Sequence, residues 1–187
     1  MQRSWFARFF ALSVGLTKSG SGANNDLKDR RFMKLSKKTD YALRAIFTLV
    51  EQHATGEPVS ISDLAQANRI PKRFLEHIML DMKSQGWVSS TAGKYGGYRL
   101  AKHPSQITMG EIVRYFDGIL APIGCVSIAR YEPCKQERVC RFRRLLLNVR
   151  NAVAGMMDRA TLESVFAEGI VTQKEVMHVS LMGGDGI

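Results

Sequence analysis

The chain has 187 residues, of which 45% are hydrophobic and 24% charged, so it can bury one sizeable core without disulfide or metal support. Its three cysteines are an odd number in one short stretch, which excludes a complete disulfide framework and favours reduced thiols in a cytoplasm. Lysine and arginine exceed the acids by 27 to 17, and the charge of +10 fits either a polyanionic partner such as nucleic acid or a solubility role.

The first 32 residues carry six basic and two acidic side chains, or +4 of the net charge, and show little periodicity. Their apolar run from Trp5 to Leu12 resembles a signal peptide, but Arg8 interrupts it, and it is shorter than the roughly 20 residues that span a bilayer. We interpret residues 1–32 as a disordered extension and Met33 as a candidate natural start. No other stretch predicts a transmembrane helix, so we expect no membrane partner.

Three helices are predicted in the next part of the chain. Apolar positions between residues 36 and 54 recur with a period of 3.6, which predicts an amphipathic helix. Ser60 and Asp63 approximate a capping box at the start of a short second helix. Pro71 sets the first turn of a third helix. The predicted buried face of that third helix consists of Phe74, Leu75, Ile78, Met79 and Met82.

A hairpin follows the third helix. Residues 87–91 and 98–101 read as two strands around the glycine-rich segment 92–97, and residues 59–61 fit a very short extra strand. This order predicts a winged helix-turn-helix, a mostly α fold with a small β-hairpin wing, whose third helix enters the major groove of DNA.

Polar and basic side chains lie where such a fold contacts DNA. Cations near the start of the third helix can bind phosphates or guanine edges, a carboxylate can accept from a cytosine amino group, and the wing can follow the backbone. The predicted DNA-binding residues are Lys72, Arg73, Glu76, His77, Lys94, Tyr95 and Arg99.

The C-terminal half predicts a further helix from the capping box Thr108/Glu111 to Gly118, then an irregular stretch, then one long helix. The long helix is predicted by an apolar stripe of Phe142, Leu145, Leu146, Val149, Ala152, Val153 and Met156. The predicted organisation is an extension at 1–32, a winged helix-turn-helix at 33–118, a cysteine loop at 119–141, a dimerisation helix with a short C-terminal helix at 142–168, and a flexible tail at 169–187.

All three cysteines fall in the irregular stretch, as Cys125, Cys134 and Cys140, with the spacing C-x8-C-x5-C. Zinc sites normally show tight C-x2-C pairs, which this stretch lacks, whereas thiolates suit iron–sulfur chemistry. This spacing alone is weak evidence, because three unrelated cysteines could show it. What favours a metal site is that all three cysteines lie between the predicted winged helix and the predicted long helix. The basic residues Arg138, Arg141, Arg143 and Arg144 could offset thiolate charge.

Several segments resemble the Rrf2 family of bacterial winged-helix regulators, including its iron–sulfur cluster-binding IscR-like and NsrR-like branches. The resemblance covers roughly residues 33–166. It is carried by MKLSKKTDYALRA at 33–45, ISDLA at 61–65, FLE at 74–76 and GGYRLA at 96–101, together with the cysteine loop and the long helix. It implies a transcription regulator, either repressor or activator, that forms a homodimer through the long helix and binds a palindromic promoter site in double-stranded DNA. It also implies a 2Fe-2S or 4Fe-4S cluster on the three cysteines.

The resemblance also bears on a fourth cluster ligand. The IscR-like branch has a histidine where this chain has Arg143, which cannot serve. The NsrR-like branch uses an aspartate from the other protomer, and the matching residue is Asp40, whose ordinary role would be a first-turn acid favoured by the helix dipole. Glu137, His103 and Asp117 are possible substitutes. Carboxylate ligation implies a labile cluster whose loss to oxygen, nitric oxide or iron scarcity changes DNA affinity.

The family often has a basic residue before the first glycine of the wing, and this chain has Ala92 instead, so minor-groove reading at that position is not expected. Three further hypotheses remain open. The regulator could use a metal-free thiol switch on the same cysteines, or it could be controlled by a protein partner. Alternatively, the chain could be an adaptor that does not bind DNA and uses the hairpin and the long helix to bind protein. An enzyme is not expected, since the sequence shows neither a nucleophile–base set nor a phosphate loop.

Overall fold

The computed structural model describes residues 33–177. The predicted extension 1–32 and residues 178–187 of the predicted tail lie outside the described residues. The elements in chain order are α1 (Lys37–Glu51), α2 (Ile61–Asn68), α3 (Lys72–Ser84), β1 (Val88–Thr91), β2 (Gly97–Leu100), α4 (Met109–Asp117), α5 (Arg143–Arg159), α6 (Leu162–Glu168) and α7 (Gln173–Met177), with two short 3-10 turns at Pro104–Gln106 and Gly124–Val126. The predicted class, mostly α with a small hairpin wing, is confirmed.

Side-chain caps fix where α1, α2 and α4 begin. The hydroxyl of Ser36 accepts from the Thr39 N–H at the start of α1, and Ser60 accepts from Asp63 N–H at the start of α2. At α4, Thr108 and Glu111 form the full capping box that their spacing predicts. Each cap satisfies backbone donors that the first helical turn leaves unpaired.

The wing is an antiparallel pair in which Val88 faces Leu100 and Thr91 faces Gly97. Val59 adds a single bridge to Tyr98, so the short extra strand predicted there is reduced to one residue pair. A Cβ on Gly97 would collide with the backbone carbonyl of Val59, and glycine is therefore what allows this third chain segment to approach the hairpin.

The core lies between α1, α2, α3, the hairpin and α4. Its fully buried large side chains include Ile46, Leu49, Leu64, Leu75, Ile78, Met79, Met82 and Ile112. The prediction that Phe74 is buried with them is wrong: it is 41% exposed and packs edge-on against Tyr41, with ring centroids 5.7 Å apart. At 3.6 residues per turn, position 74 lies about 90° from the centre of the buried stripe, which leaves it at the edge of the core.

The long helix α5 has no fully buried residue in the single chain. It packs on α4 and on the 3-10 turn at Gly124–Val126. Its other side, which carries most of the predicted apolar stripe, is open: Phe142, Leu145 and Met156 are each more than 60% exposed. An apolar helix face this exposed fits an interface with another molecule.

After α5 the chain returns to the winged-helix core. Leu162, the first residue of α6, is fully buried there. Backbone bonds run from Met109 N–H to the Ala160 carbonyl and from Leu162 N–H to the Ile107 carbonyl, at 2.8 and 2.9 Å. Within residues 33–177, no helix has both the length and the apolar character that crossing a bilayer requires.

Candidate DNA interface and cysteine site

The predicted DNA-binding residues of the third helix lie on the face of α3 that points away from the core. Lys72, Arg73 and His77 are exposed, and Glu76 is half-buried. The Lys72 ammonium donates to the Ser62 hydroxyl on α2 at 3.0 Å, so it bridges the two helices of the helix-turn-helix. Leu80 lies on the same face, seven positions after Arg73, and is 57% exposed. Sequence analysis missed this residue.

The wing tip brings two of the three predicted wing residues together. The Lys94 ammonium lies 5.4 Å from the centroid of the Tyr95 ring, and Tyr95 is 84% exposed. A cation next to a freely exposed aromatic ring is suited to a phosphate backbone with sugars or bases beside it.

The third wing residue, Arg99, has different surroundings. It lies on β2 opposite Ser89 and lines a hollow of about 350 Å³ together with Gln52, His53 and Glu57. Because Leu100 next to it points into the core, Arg99 projects from the outer face of the hairpin. The structure thus separates Arg99 from the Lys94–Tyr95 pair at the tip.

The start of α1 is fastened to both α3 and α4. The Lys38 ammonium pairs with the Asp81 carboxylate of α3 at 2.7 Å and lies 5.2 Å from the centroid of the Phe116 ring. One oxygen of Asp117, the last residue of α4, accepts from the Ser36 N–H at 2.8 Å and from the Thr39 hydroxyl at 2.7 Å. These contacts link α3 to the point where the cysteine loop begins.

Two of the three cysteines line one open cavity of about 430 Å³. Cys125 is buried, and Cys140 is partly exposed. The cavity wall is otherwise formed by Val126, Ser127, Tyr131, Arg143, Arg144, Leu147 and Arg150. Of the four arginines that sequence analysis singled out, Arg143 and Arg144 are therefore at the cavity, and Arg138 and Arg141 are not among its lining residues.

Arginine side chains hold the turn that carries Cys125. The Arg143 guanidinium donates to the Cys125 carbonyl at 3.2 and 2.8 Å, and Arg150 donates to the Val126 carbonyl at 2.8 Å. Sequence analysis missed Arg150, although its spacing of seven residues from Arg143 places both on one helix face and could have revealed it.

Cys134 is exposed and does not line the cavity, but its backbone is tied to the cavity wall. Its N–H donates to the Glu137 carboxylate at 3.1 Å, and the Tyr131 hydroxyl donates to both oxygens of that carboxylate at 2.8 Å. Glu137 also pairs with Arg143 at 3.3 Å. The bond from Tyr131, followed by that from Cys134, lowers the pKa of Glu137, and the same carboxylate raises the pKa of Tyr131.

The four suggested fourth ligands differ in their surroundings. Asp40 is on the exposed surface of α1 and pairs with Arg44 of the same helix at 2.8 Å. Asp117 accepts from Ser36 and Thr39, and the His103 ring bonds Ser105 at 2.8 Å. Glu137 alone belongs to the cysteine loop. Among residues 33–177, no three His, Cys, Asp or Glu side chains are gathered closely enough to hold a metal ion.

A three-helix core with an antiparallel wing and a polar recognition helix defines a winged-helix DNA-binding regulator. The model of the Rrf2 family, described as an iron-dependent transcriptional regulator, matches residues 35–168. The chain belongs to this family. Members are transcriptional regulators that bind DNA, so this protein is a DNA-binding transcriptional regulator.

Individual relatives agree with this assignment. A putative rrf2-like HTH-type regulator of Rhodobacter capsulatus is 37% identical over 140 residues, which cover 72% of this chain and 93% of the relative. NsrR of Bacillus licheniformis is 29% identical over 133 residues, covering 71% and 92%. The structure of CymR, the global cysteine regulator of Bacillus subtilis, superposes with a TM-score of 0.58 at 31% identity, covering 73% of this chain and 98% of CymR.

Proposed function

We propose that this regulator senses its signal through an iron–sulfur cluster held by Cys125, Cys134 and Cys140, and that the state of the cluster sets its affinity for DNA. The observation that supports the proposal is the shared cavity, which two of the cysteines line together with three arginines. The donor set fits, because thiolates are the usual ligands of such clusters and guanidinium groups offset their charge. The iron-dependent character of the family supports the same reading.

In this proposal, the three cysteines and one carboxylate would hold the cluster. Cys125 and Cys140 provide thiolates from the cavity wall, and Cys134 turns inward from its exposed position. Asp40 would complete the site of a second protomer after leaving its pairing with Arg44, and a carboxylate there would make one ligand position more easily exchanged. A bound cluster would supply a centre that oxygen, nitric oxide or iron scarcity can degrade. No step at the cysteines calls for a catalytic base or nucleophile.

The proposal includes a cytoplasmic homodimer on a palindromic promoter site. The open apolar stripe of α5 supports it, since Phe142, Leu145 and Met156 would be covered by the same stripe of a second copy. Each protomer then presents Lys72, Arg73, Glu76 and His77 to a major groove, and Lys94, Tyr95 and Arg99 to the flanking backbone.

The test is an anaerobic purification of the full chain, followed by a visible absorption spectrum with iron and acid-labile sulfide assays. A brown protein with matched iron and sulfide is expected, and a variant with all three cysteines replaced by serine should be colourless. Nitric oxide and oxygen titrations, with DNA affinity measured before and after, then identify the signal. A colourless wild-type protein after reconstitution would refute the cluster.

A metal-free thiol switch is the second candidate. It is favoured by the likeness to CymR, which is described as a cysteine regulator, and by Cys125 and Cys140 lining one cavity while Cys134 lies outside it. In that case oxidation of the thiols, without iron, should change DNA affinity, and reduction should restore it. Iron content separates the two candidates.

A further inference from the structure

The Glu137 carboxylate lies at the meeting point of the two segments that carry Cys125 and Cys134. On one side it accepts from the backbone N–H of Cys134 at 3.1 Å. On the other side it pairs with the Arg143 guanidinium at 3.3 Å. Its side chain is 17% exposed. No regular secondary structure joins the two segments, and the carboxylate supplies a link between them.

The guanidinium extends this link to Cys125. The same Arg143 nitrogen that approaches Glu137 donates to the Cys125 carbonyl at 2.8 Å, and a second nitrogen donates to that carbonyl at 3.2 Å. The sequence of contacts is therefore Cys134 N–H, Glu137 carboxylate, Arg143 guanidinium, Cys125 carbonyl. The Tyr131 hydroxyl fixes the carboxylate from a further direction, sharing its one proton between two oxygens that each lie 2.8 Å away.

We propose that Glu137 is the positioning residue of the cysteine site: it bonds the backbone N–H of Cys134 and, through Arg143, the backbone carbonyl of Cys125, and so holds together the two chain segments that carry these cysteines before any metal binds. The inference rests on the proposed function, since it assumes that these thiols act at one site. Ligand preorganisation of this kind matters because outer partners that orient the ligands of a metal site typically contribute roughly 10- to 100-fold to its affinity. Glu137 acts through the cysteines and is not itself placed as a ligand.

The test is a titration of the metal-free, reduced full chain with Co²⁺, whose thiolate charge-transfer absorption reports how many cysteines bind. Glu137→Gln keeps the size of the side chain and removes its charge. Glu132→Gln, an exposed glutamate of the same loop, is the matched control. We expect the control to resemble wild type, and Glu137→Gln to bind Co²⁺ roughly 10- to 100-fold more weakly. Its absorption should fall from that of three thiolates to that of two, with an unchanged melting temperature.

A second pair of variants tests the route through Arg143. Arg143→Met should weaken Co²⁺ binding as Glu137→Gln does, and the double variant should be little worse than either single one, because both break the same link. Equal Co²⁺ affinity of Glu137→Gln and Glu132→Gln, or fully additive losses in the double variant, would overturn the inference.

These experiments distinguish failure of the positioning role of Glu137 from failure of the proposed iron–sulfur cluster. If wild type binds Co²⁺ through thiolates but never takes up iron and sulfide, the proposed cluster fails and the positioning role is still judged by the Co²⁺ series. A short bifunctional thiol reagent gives an independent measure in the metal-free protein. Crosslinking of Cys125 to Cys134 should be several-fold slower in Glu137→Gln, and equal rates, or no crosslinking in wild type, would refute the positioning role.

Discussion

Replacing Asp117 by alanine removes the contact that fastens the end of α4 to the start of α1. One carboxylate oxygen accepts two bonds, from the Ser36 N–H at 2.8 Å and from the hydroxyl of Thr39 at 2.7 Å. Thr39 is fully buried, and a buried polar group left without its partner costs about 1–3 kcal/mol. The Ser36 hydroxyl lies 3.1 Å from that of Thr39 and can replace part of the loss.

We therefore expect Asp117→Ala to lower the free energy of unfolding by about 2 kcal/mol, which is the middle of that range, because the Ser36 hydroxyl replaces part of the loss. Urea unfolding followed by far-UV circular dichroism, at one fixed protein concentration, measures the change. Thr39→Val should lose about 1–2 kcal/mol, and the double variant should be less destabilised than the two single losses combined. A loss below about 0.5 kcal/mol for Asp117→Ala, the size of an ordinary surface substitution, would refute the reasoning.

Three further predictions concern DNA, assembly and packing. Arg73→Ala should weaken binding to duplex DNA and reduce the slope of log K against log salt by about 0.9 if it contacts one phosphate, as fluorescence anisotropy at several salt concentrations would show; an unchanged slope and affinity would remove it from the interface. Leu145→Asp should shift the protein to a monomer in analytical ultracentrifugation, whereas Leu145→Met should not, because a carboxylate cannot be buried in an apolar interface. Gly110→Ala should destabilise the fold by about 1–3 kcal/mol in thermal melts, since the added Cβ would collide with Asp158 of α5; an unchanged melting temperature would mean that α4 and α5 separate freely.

Local signals in the sequence were sufficient for the elements of the winged helix. The capping box at Thr108 and the apolar periodicity of α1 depend only on residues within a few turns, so the structure has them where they were predicted. The prediction that Phe74 is buried was wrong because apolar periodicity shows which side of a helix is buried but not how wide the buried stripe is. That width depends on how closely α1 approaches α3.

The contacts of the cysteine site could not be predicted in the same way. In the sequence, Arg143 was notable because it stands where the IscR-like branch has a histidine. Its bonds to the Cys125 carbonyl could not be predicted, because they depend on how an irregular loop folds back across a separation of 18 residues. Glu137 was one of several carboxylates in the sequence, and only the folded loop shows that it bonds Cys134. The predicted DNA-binding residues and the cluster ligands stay predictions until binding is measured.

The backbone bonds between Met109 and Ala160, and between Leu162 and Ile107, have a consequence for how the cysteine loop can change. The chain leaves the winged-helix core after α4 and re-enters it at Leu162, beside the point where α4 begins, so the cysteine loop and α5 lie between two ends that are already held together. Lengthening a flexible loop between fixed ends costs little, about 0.6 kcal/mol for each doubling of its length. We therefore expect changes in the length of the cysteine loop to have little effect on the stability of the winged-helix core, which can accommodate loops of different lengths.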